Sequence, residues 1–435
     1  MDEYSNISYI FIPFMYNNES DFKSFVDAVN NSGLWEKRDD EISYMFKYIS
    51  DKIVSTDEKS RRCFHYRLKE DKRSEYNLAT YKDVFSTEAH SFRNQKEKIL
   101  FRILNVQLYF FSTTVGIMAF KVYFENDDPF WIANAQYYLK KVSREQIFLG
   151  DSAEGKTMCD IAKELMRGII SEEDFFYYAN DGTERANILT YVEVKPQEDY
   201  RKELFYLRNC YKDSFYYLGD EKADADEIHS SSKHAVWGIS PEAAVCLVCP
   251  KYESEGFKKK FYNNFKSQYL FMYVLLLHQK YALYMFLMKI GVGRYNTLET
   301  LENYRGQLYE FETDFVFSCV TEVPQYQNLY ERIAKSFALE KMYKDVHEPL
   351  ISLGEVRREA IEKEKKRRDD GIDRALLILS ALSFCSALVD SFQFVDSFFG
   401  WFLNATGVKI AQVCCIVGII SAAVLFFKKL HDSKK

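Results

Sequence analysis

The segment after Arg374 restricts this chain more than any other part of it. From Ala375 to Val389 fifteen residues carry no charge (ALLILSALSFCSALV), and the run continues through Asp390 to Val395. A second run, Ile410 to Phe427, has eighteen uncharged residues (IAQVCCIVGIISAAVLFF). A helix needs roughly 20 mostly apolar residues to cross the hydrocarbon layer, and about 17 is the lower limit. The second run meets this outright. The first meets it if Asp390 is tolerated, at about 2.5–3.5 kcal/mol near the helix centre and less toward its end. The alternative is a pair of buried core helices; the position at the C-terminal end, with no later domain in the sequence to bury them, favours the membrane.

The flanks set an orientation. Fifteen of the twenty residues from Glu355 to Arg374 are charged, Lys365, Lys366, Arg367 and Arg368 consecutively, and Lys428, Lys429, Lys434 and Lys435 follow the second run. The stretch between the runs, Asp396 to Gly407, has no Lys or Arg. Basic residues stay on the cytoplasmic side, which predicts both termini in the cytoplasm and a short external loop. Phe398, Phe399, Trp401 and Phe402 stand where an interfacial aromatic belt belongs.

Projected at about 100° per residue, Ser380, Ser383, Ser386, Asp390 and Ser397 lie within about 60° either side of Ser383. Leu377, Ile378, Ala381, Phe384, Leu388 and Val389 lie opposite. A carboxylate with hydroxyls above and below it in an apolar helix points to an ion path. A Ser-rich packing seam, with Asp390 bonded to a neighbouring helix, is the competing reading. Two helices enclose no water by themselves, so a pore requires a homo-oligomer. The second run, with Gly418, Ser421, Ala422 and Ala423, reads as the lipid-facing or packing helix.

Upstream, Ile7–Phe14, Cys63–Leu68, Ile99–Phe111 and Val115–Phe124 read as strands rich in β-branched and aromatic residues. The last two read as a hairpin, turned by Ser112-Thr113-Thr114, at the centre of a sheet. Helical patterns fall at Asp21–Ser32 and at Pro129–Val142, the latter opened by Asp127 and Asp128. From about Lys258 the pattern is helical throughout. Phe261–Gly291 is apolar enough to raise the membrane question, but His278, Gln279 and Lys280 interrupt it and predict a buried soluble helix. Thr297–Leu308 follows, then a long pattern from Tyr326 to Arg374 with Pro324 and Pro349 as breaks. Its last stretch reads as a charged helix feeding into the first span, a lever between cytoplasm and membrane.

The expected fold is therefore a cytoplasmic α/β domain followed by long α-helices and two C-terminal transmembrane helices. The expected boundaries are 1–257 for the α/β domain, 258–373 for long helices and charged stalk, and 374–396 for a pore-lining first span. An external loop at 397–408, a second span at 409–428 and a basic tail at 429–435 complete it.

Composition excludes several functions. A formal charge of −6 argues against direct nucleic-acid binding, which needs a basic excess. Nine scattered Cys do not make the disulfide framework of a small secreted domain, and Met1-Asp2-Glu3-Tyr4 does not open a secretory signal. His229, His234, Cys246 and Cys249 offer four zinc ligands in 21 residues, but their order and spacing match no common zinc motif, and strand-like Ala243–Val248 favours core cysteines. Asp220, Glu221, Asp224, Asp226 and Glu227 form an acidic loop that lacks the Gly and terminal Glu of an EF-hand and reads as solvated. There is no Walker A sequence, no GxGxxG after a strand, no GxSxG and no HExxH, so nothing supports catalysis and no enzyme is expected; the cysteine–histidine cluster is the one feature that would speak for one.

This layout resembles the CorA family of magnesium and divalent-cation channels. Shared features are the α/β domain, the charged stalk, two C-terminal spans with a short loop, and the tail Lys428-Lys429-Leu430-His431-Asp432-Ser433-Lys434-Lys435. The resemblance implies a funnel-shaped pentamer in a prokaryotic plasma membrane, with Ser380, Ser383, Ser386, Asp390 and Ser397 toward the pore axis. It places Asp369, Asp370 and Asp373 at the cytoplasmic mouth, with Lys428 and Lys429 ringing it. In place of the family's Gly-Met-Asn signature the chain reads Phe399-Gly400-Trp401-Phe402, keeping Gly400 but having Trp401 next. Divergent members without the signature accompany type III CRISPR systems as membrane effectors opened by nucleotide messengers, and the chain is similar to that group. The resemblance thus implies a cation channel gated by a small cytosolic ligand, either Mg²⁺ or another divalent cation or a nucleotide messenger, in antiviral defence. The alternatives are a magnesium homeostasis transporter and a membrane-anchored sensor or scaffold without a pore.

Overall fold

Strand β1 (Asn6–Met15) is buried along its whole length, because both of its faces are covered. Tyr9 and Phe11 belong to one apolar cluster, and Ile10, Ile12 and Phe14 to another. The period of two in a strand sends successive side chains to opposite faces, so β1 separates two cores. Its polar residues are satisfied within the protein. Asn6 donates to Phe124 O (3.0 Å) and Asp127 Oδ1 (2.7 Å), and Ser8 Oγ meets Thr190 Oγ1 at 3.1 Å.

The computed structural model describes residues 4–432, except 17–21, 40–41, 55–60, 79–82, 91–95, 151, 153, 171–175, 178–184, 213–214, 216, 218–226, 233–234, 250–254, 292–297, 400 and 402–404. The chain forms two compact units, Met1–Ile351 and Ser352–Lys435.

In the first unit, β1 is joined by β2 (Trp35–Arg38), β3 (Cys63–Leu68), β4 (Phe85–His90), β5 (Lys96–Phe111), β6 (Val115–Phe124), β7 (Ile147–Leu149) and β8 (Gly155–Lys156). They continue with β9 (Phe176–Tyr177), β10 (Asn187–Glu193), β11 (Ile228–Ser232), β12 (Ala235–Ile239) and β13 (Ala243–Val248). These form one sheet in the order β11-β12-β13-β10-β1-β6-β5-β4-β7-β8, with β3 on β5, β2 on β3 and β9 on β1. Helices and strands are mixed as expected, and of the strand-to-strand pairings among the described residues only β10–β13 is parallel. The β5–β6 hairpin stands at mid-sheet, turned at Thr114, whose φ is +68°.

One face of the sheet is covered by α1 (Phe22–Asn31), α3 (Pro129–Leu139), α4 (Met158–Met166) and α5 (Arg201–Arg208); α2 (Lys47–Val54) contributes Ile49 and Ile53 to the opposite core. Helix α3 starts where Asp128 accepts from Trp131 N at 2.9 Å, with Pro129 in its first turn. Gln136 on α3 donates to Ser8 Oγ (3.0 Å) and Thr190 Oγ1 (2.7 Å), bonding that helix to β1 and β10.

The opposite core is closed by α6 (Glu255–Asn264), a π-helical turn (Phe265–Tyr269) and α7 (Leu270–Gly291). This run, Gly256–Ile290, has the length and composition of a membrane span, yet 83% of its most apolar window is buried inside the unit. Its polar residues explain why. Gln279 Nε2 donates to Phe315 O (2.6 Å) and Tyr330 Oη (3.0 Å), His278 Nε2 meets Thr113 Oγ1 at 2.7 Å, and Lys280 Nζ donates to Asn187 Oδ1 at 3.3 Å. They bond to the sheet and to the next helices, as a core helix does.

Then come α8 (Leu298–Phe315), α9 (Pro324–Ser336) and α10 (Leu339–Phe399). The expected break at Pro349 does not occur; the helix runs through it. A proline inside a helix forfeits one backbone bond and clashes locally, at about 3 kcal/mol, which buried flanking residues such as Val346 and Leu350 offset. The break falls earlier, at Phe337-Ala338, where Ala338 takes a left-handed φ of +54°. Buried Phe337 packs there on Tyr273 (5.8 Å between centroids). In the second unit α10 continues to Phe399, and α11 spans Ala405–Asp432. Among the described residues, the most apolar window of α10 has no buried residue.

Candidate functional site

Helix α10 carries the expected polar stripe on one continuous element, with Ser380, Ser383, Ser386, Asp390 and Ser397 all exposed. Ser380 Oγ donates to Leu376 O and Ser397 Oγ to Gln393 O, each at 2.7 Å. A hydroxyl whose proton is held by its own helix turns lone pairs outward, so these serines offer acceptors, which suit cations. Leu379 and Phe394 fall in the same sector at the helical repeat, so apolar residues interrupt the stripe.

Below it, Asp369, Asp370 and Asp373 are exposed on the same helix. At the helical repeat Asp369 lies in the sector of the stripe, whereas Asp370 lies roughly 140° away. Trp401 is 85% exposed, Gly400 lies outside the described residues, and Lys428 and Lys429 stand on α11. Free thiols Cys385, Cys414 and Cys415 are exposed on these helices.

Among the described residues the cysteine–histidine group does not assemble as a metal site. Cys246 and Cys249 are buried free thiols, and Cys246 pairs in register with Tyr191 and Trp237 inside the core. Burial pushes the Cys246 thiol well above its ordinary value, the reverse of what a metal ligand needs. His234 and the acids Asp220, Glu221, Asp224 and Asp226 lie outside the described residues, while Glu227 pairs with buried Arg208. Among the described residues no three His, Cys, Asp or Glu side chains gather as a metal group.

Two further features of the first unit were not anticipated. A cavity of about 200 Å³ lies between the β5–β6 turn and α7–α8, lined by Thr113, Thr114, Met285, Gln307, Glu310 and Asp314. Asp314 is neutralised by Lys52 and Arg62, each at 2.9 Å. Beside the cavity His278 is buried, stacked on Phe111 at 3.8 Å, and burial holds its imidazole neutral.

The second feature is a group of cations on the sheet. Arg67 of β3, Gln107 and Asn105 of β5 and Lys121 of β6 stand on one face: Arg67 opposes Gln107, and Asn105 opposes Lys121. Each is partly exposed, whereas Tyr66, Val106, Phe120 and Val122 between them are buried on the other side. Lys266 of the π-helical turn and Arg67 both act on Lys121, and burial first, then these two charges, lower its ammonium to about 7. No local signal foretold this group, because its members are joined only by strand register. Comparison with protein-family models, with curated proteins and with solved structures gives no match to this chain.

Proposed function

We propose that the chain is the subunit of a homo-oligomeric membrane channel that passes cations, with its first unit in the cytoplasm sensing a small ligand. One contrast carries the reading. Among the described residues two helical runs are apolar and long enough to cross a bilayer; one is 83% buried against protein, and the other, at the end of α10, has nothing buried in its most apolar window. Apolar area left in water costs about 25 cal/mol per Å², so the exposed run requires a cover, and lipid on one side with copies of itself on the other supplies it. The stripe from Ser380 to Ser397 then faces the axis, and Asp390 contributes a ring of carboxylates, as in the CorA-like layout.

The test is ion flux through the full chain in liposomes. Wild-type protein is expected to conduct cations, and Asp390→Asn to lower cation conductance about tenfold or alter its selectivity. The interruption of the stripe by Leu379 and Phe394 favours a second reading, in which the helices only tether and assemble the chain. That reading gains if wild-type liposomes pass no ion while an unrelated two-helix anchor preserves the biological activity.

A further inference from the structure

Lys121 and Arg67 differ from the cations around them. Lys258 Nζ is paired with Glu193 Oε1 at 3.0 Å, and Arg102 with Glu125. Among the described residues neither Lys121 nor Arg67 has a carboxylate partner, although Glu36 stands opposite Arg67 in the β2–β3 register. Lys266, whose ammonium lies 4.1 Å from the ring centre of Tyr262, adds a third positive charge to Lys121's surroundings. Like charges gathered at a partly buried place repel, and an arrangement of this kind is relieved when an anion enters it.

The neutral groups are suited to the same guest. Gln107 Oε1 accepts from Tyr109 Oη at 2.6 Å and lies 3.2 Å from His65 Nε2, so its amide nitrogen remains as a donor. Asn105 Oδ1 is buried with no hydrogen-bond partner beside Lys121, and a half turn of that amide presents a donor in its place. The His65 imidazole stacks flat on Tyr109, with centroids 4.3 Å apart and planes at 4°, making a ring wall beside the charges.

We propose that this face of β3, β5 and β6 binds the phosphoryl group of a small cytosolic anion, held by Lys121, Arg67 and Lys266 with Gln107 as a neutral donor. Several fixed donors around one place match a tetrahedral, multiply charged oxyanion better than a monovalent carboxylate or chloride. The gating role of this site rests on the channel reading given above; the binding does not.

The experiment is thermal stability and titration calorimetry on the full chain in detergent, with inorganic pyrophosphate and phenyl phosphate as probes and chloride at matched ionic strength as control. Both phosphates are expected to raise the melting temperature where chloride does not. Lys121→Met and Arg67→Met are each expected to weaken binding about tenfold, while Lys156→Met, on β8 beside Glu164, leaves it unchanged. Without ligand Lys121→Met is expected to melt higher than wild type, because it removes the repulsion; a merely structural lysine would melt lower when lost. Tighter binding of phenyl phosphate identifies an organic ligand read by the ring wall, and tighter binding of pyrophosphate identifies a free inorganic anion; either supports the site. Phosphates that act no differently from chloride, or variants that respond like wild type, overturn it. Ion flux is a separate readout, so a chain that binds without conducting refutes the channel alone, and one that conducts without binding refutes the site alone.

Discussion

Gly116 sits in β6 where the ring of Phe14 crosses it; a Cβ placed there would lie 2.2 Å from the ring. Phe14 is fully buried and set edge-on against Phe110, so it has no room to retreat. Gly116→Ala is therefore expected to destabilise the protein by about 1–3 kcal/mol, measured by denaturant unfolding. Charge acts at the same scale. Burial lowers the Lys280 ammonium to about 8, against 10.5 in a free chain. Between these pH values the unfolded chain holds a proton that the folded chain does not, so folding stability gains as pH rises through this window and is lower below it. The difference in melting temperature between wild type and Lys280→Met is expected to shift in favour of wild type from pH 8 to pH 10. If the difference stays flat with pH, Lys280 is not desolvated as described. Residues of this kind were hard to read in advance: Arg67, Lys121 and Lys266 each look like an ordinary surface cation, and only register and tertiary packing bring them together.

Elements were more legible where a local signal existed. Asp128-Pro129 announced α3, and the hairpin at Ser112-Thr113-Thr114 announced β5 and β6, because a cap and a turn are decided by neighbours in sequence. Pro349 misled, because helix propensity is a weak prior beside the packing of Val346 and Leu350. In α7 the polar trio was visible as an interruption, but its partners were not. Gln279→Leu would leave Phe315 O and Tyr330 Oη without their amide donor, and a loss of about 1–3 kcal/mol in unfolding free energy is expected. The α10 and α11 cysteines test the membrane reading element by element. In sealed vesicles a membrane-impermeant maleimide applied to the cytoplasmic face is expected to modify Cys319, exposed in the first unit, and to spare Cys385, Cys414 and Cys415. Mass spectrometry showing equal labelling of all four would exclude burial in lipid.

At the scale of the molecule, an aromatic excess of 17% divides between the two units. Most of it lines the two cores of the first unit, while Phe394, Phe398 and Trp401 stand exposed in the second. A chain ending at Arg374 is therefore expected to stay in solution without detergent while the full chain does not, checked by ultracentrifugation of each. The first unit raises a difficulty that belongs to synthesis rather than to the finished fold. The run Gly256–Ile290 leaves the ribosome as apolar as many segments that the insertion machinery admits to a bilayer. His278, Gln279 and Lys280 at its middle alter that competition, since one lysine at the centre of a helix raises the insertion cost by about 2.5–3.5 kcal/mol. In the channel proposed above, the same side chains that bond to Thr113, Phe315 and Asn187 would also disfavour insertion of this helix, leaving the segment after Arg374 as the one admitted to the bilayer.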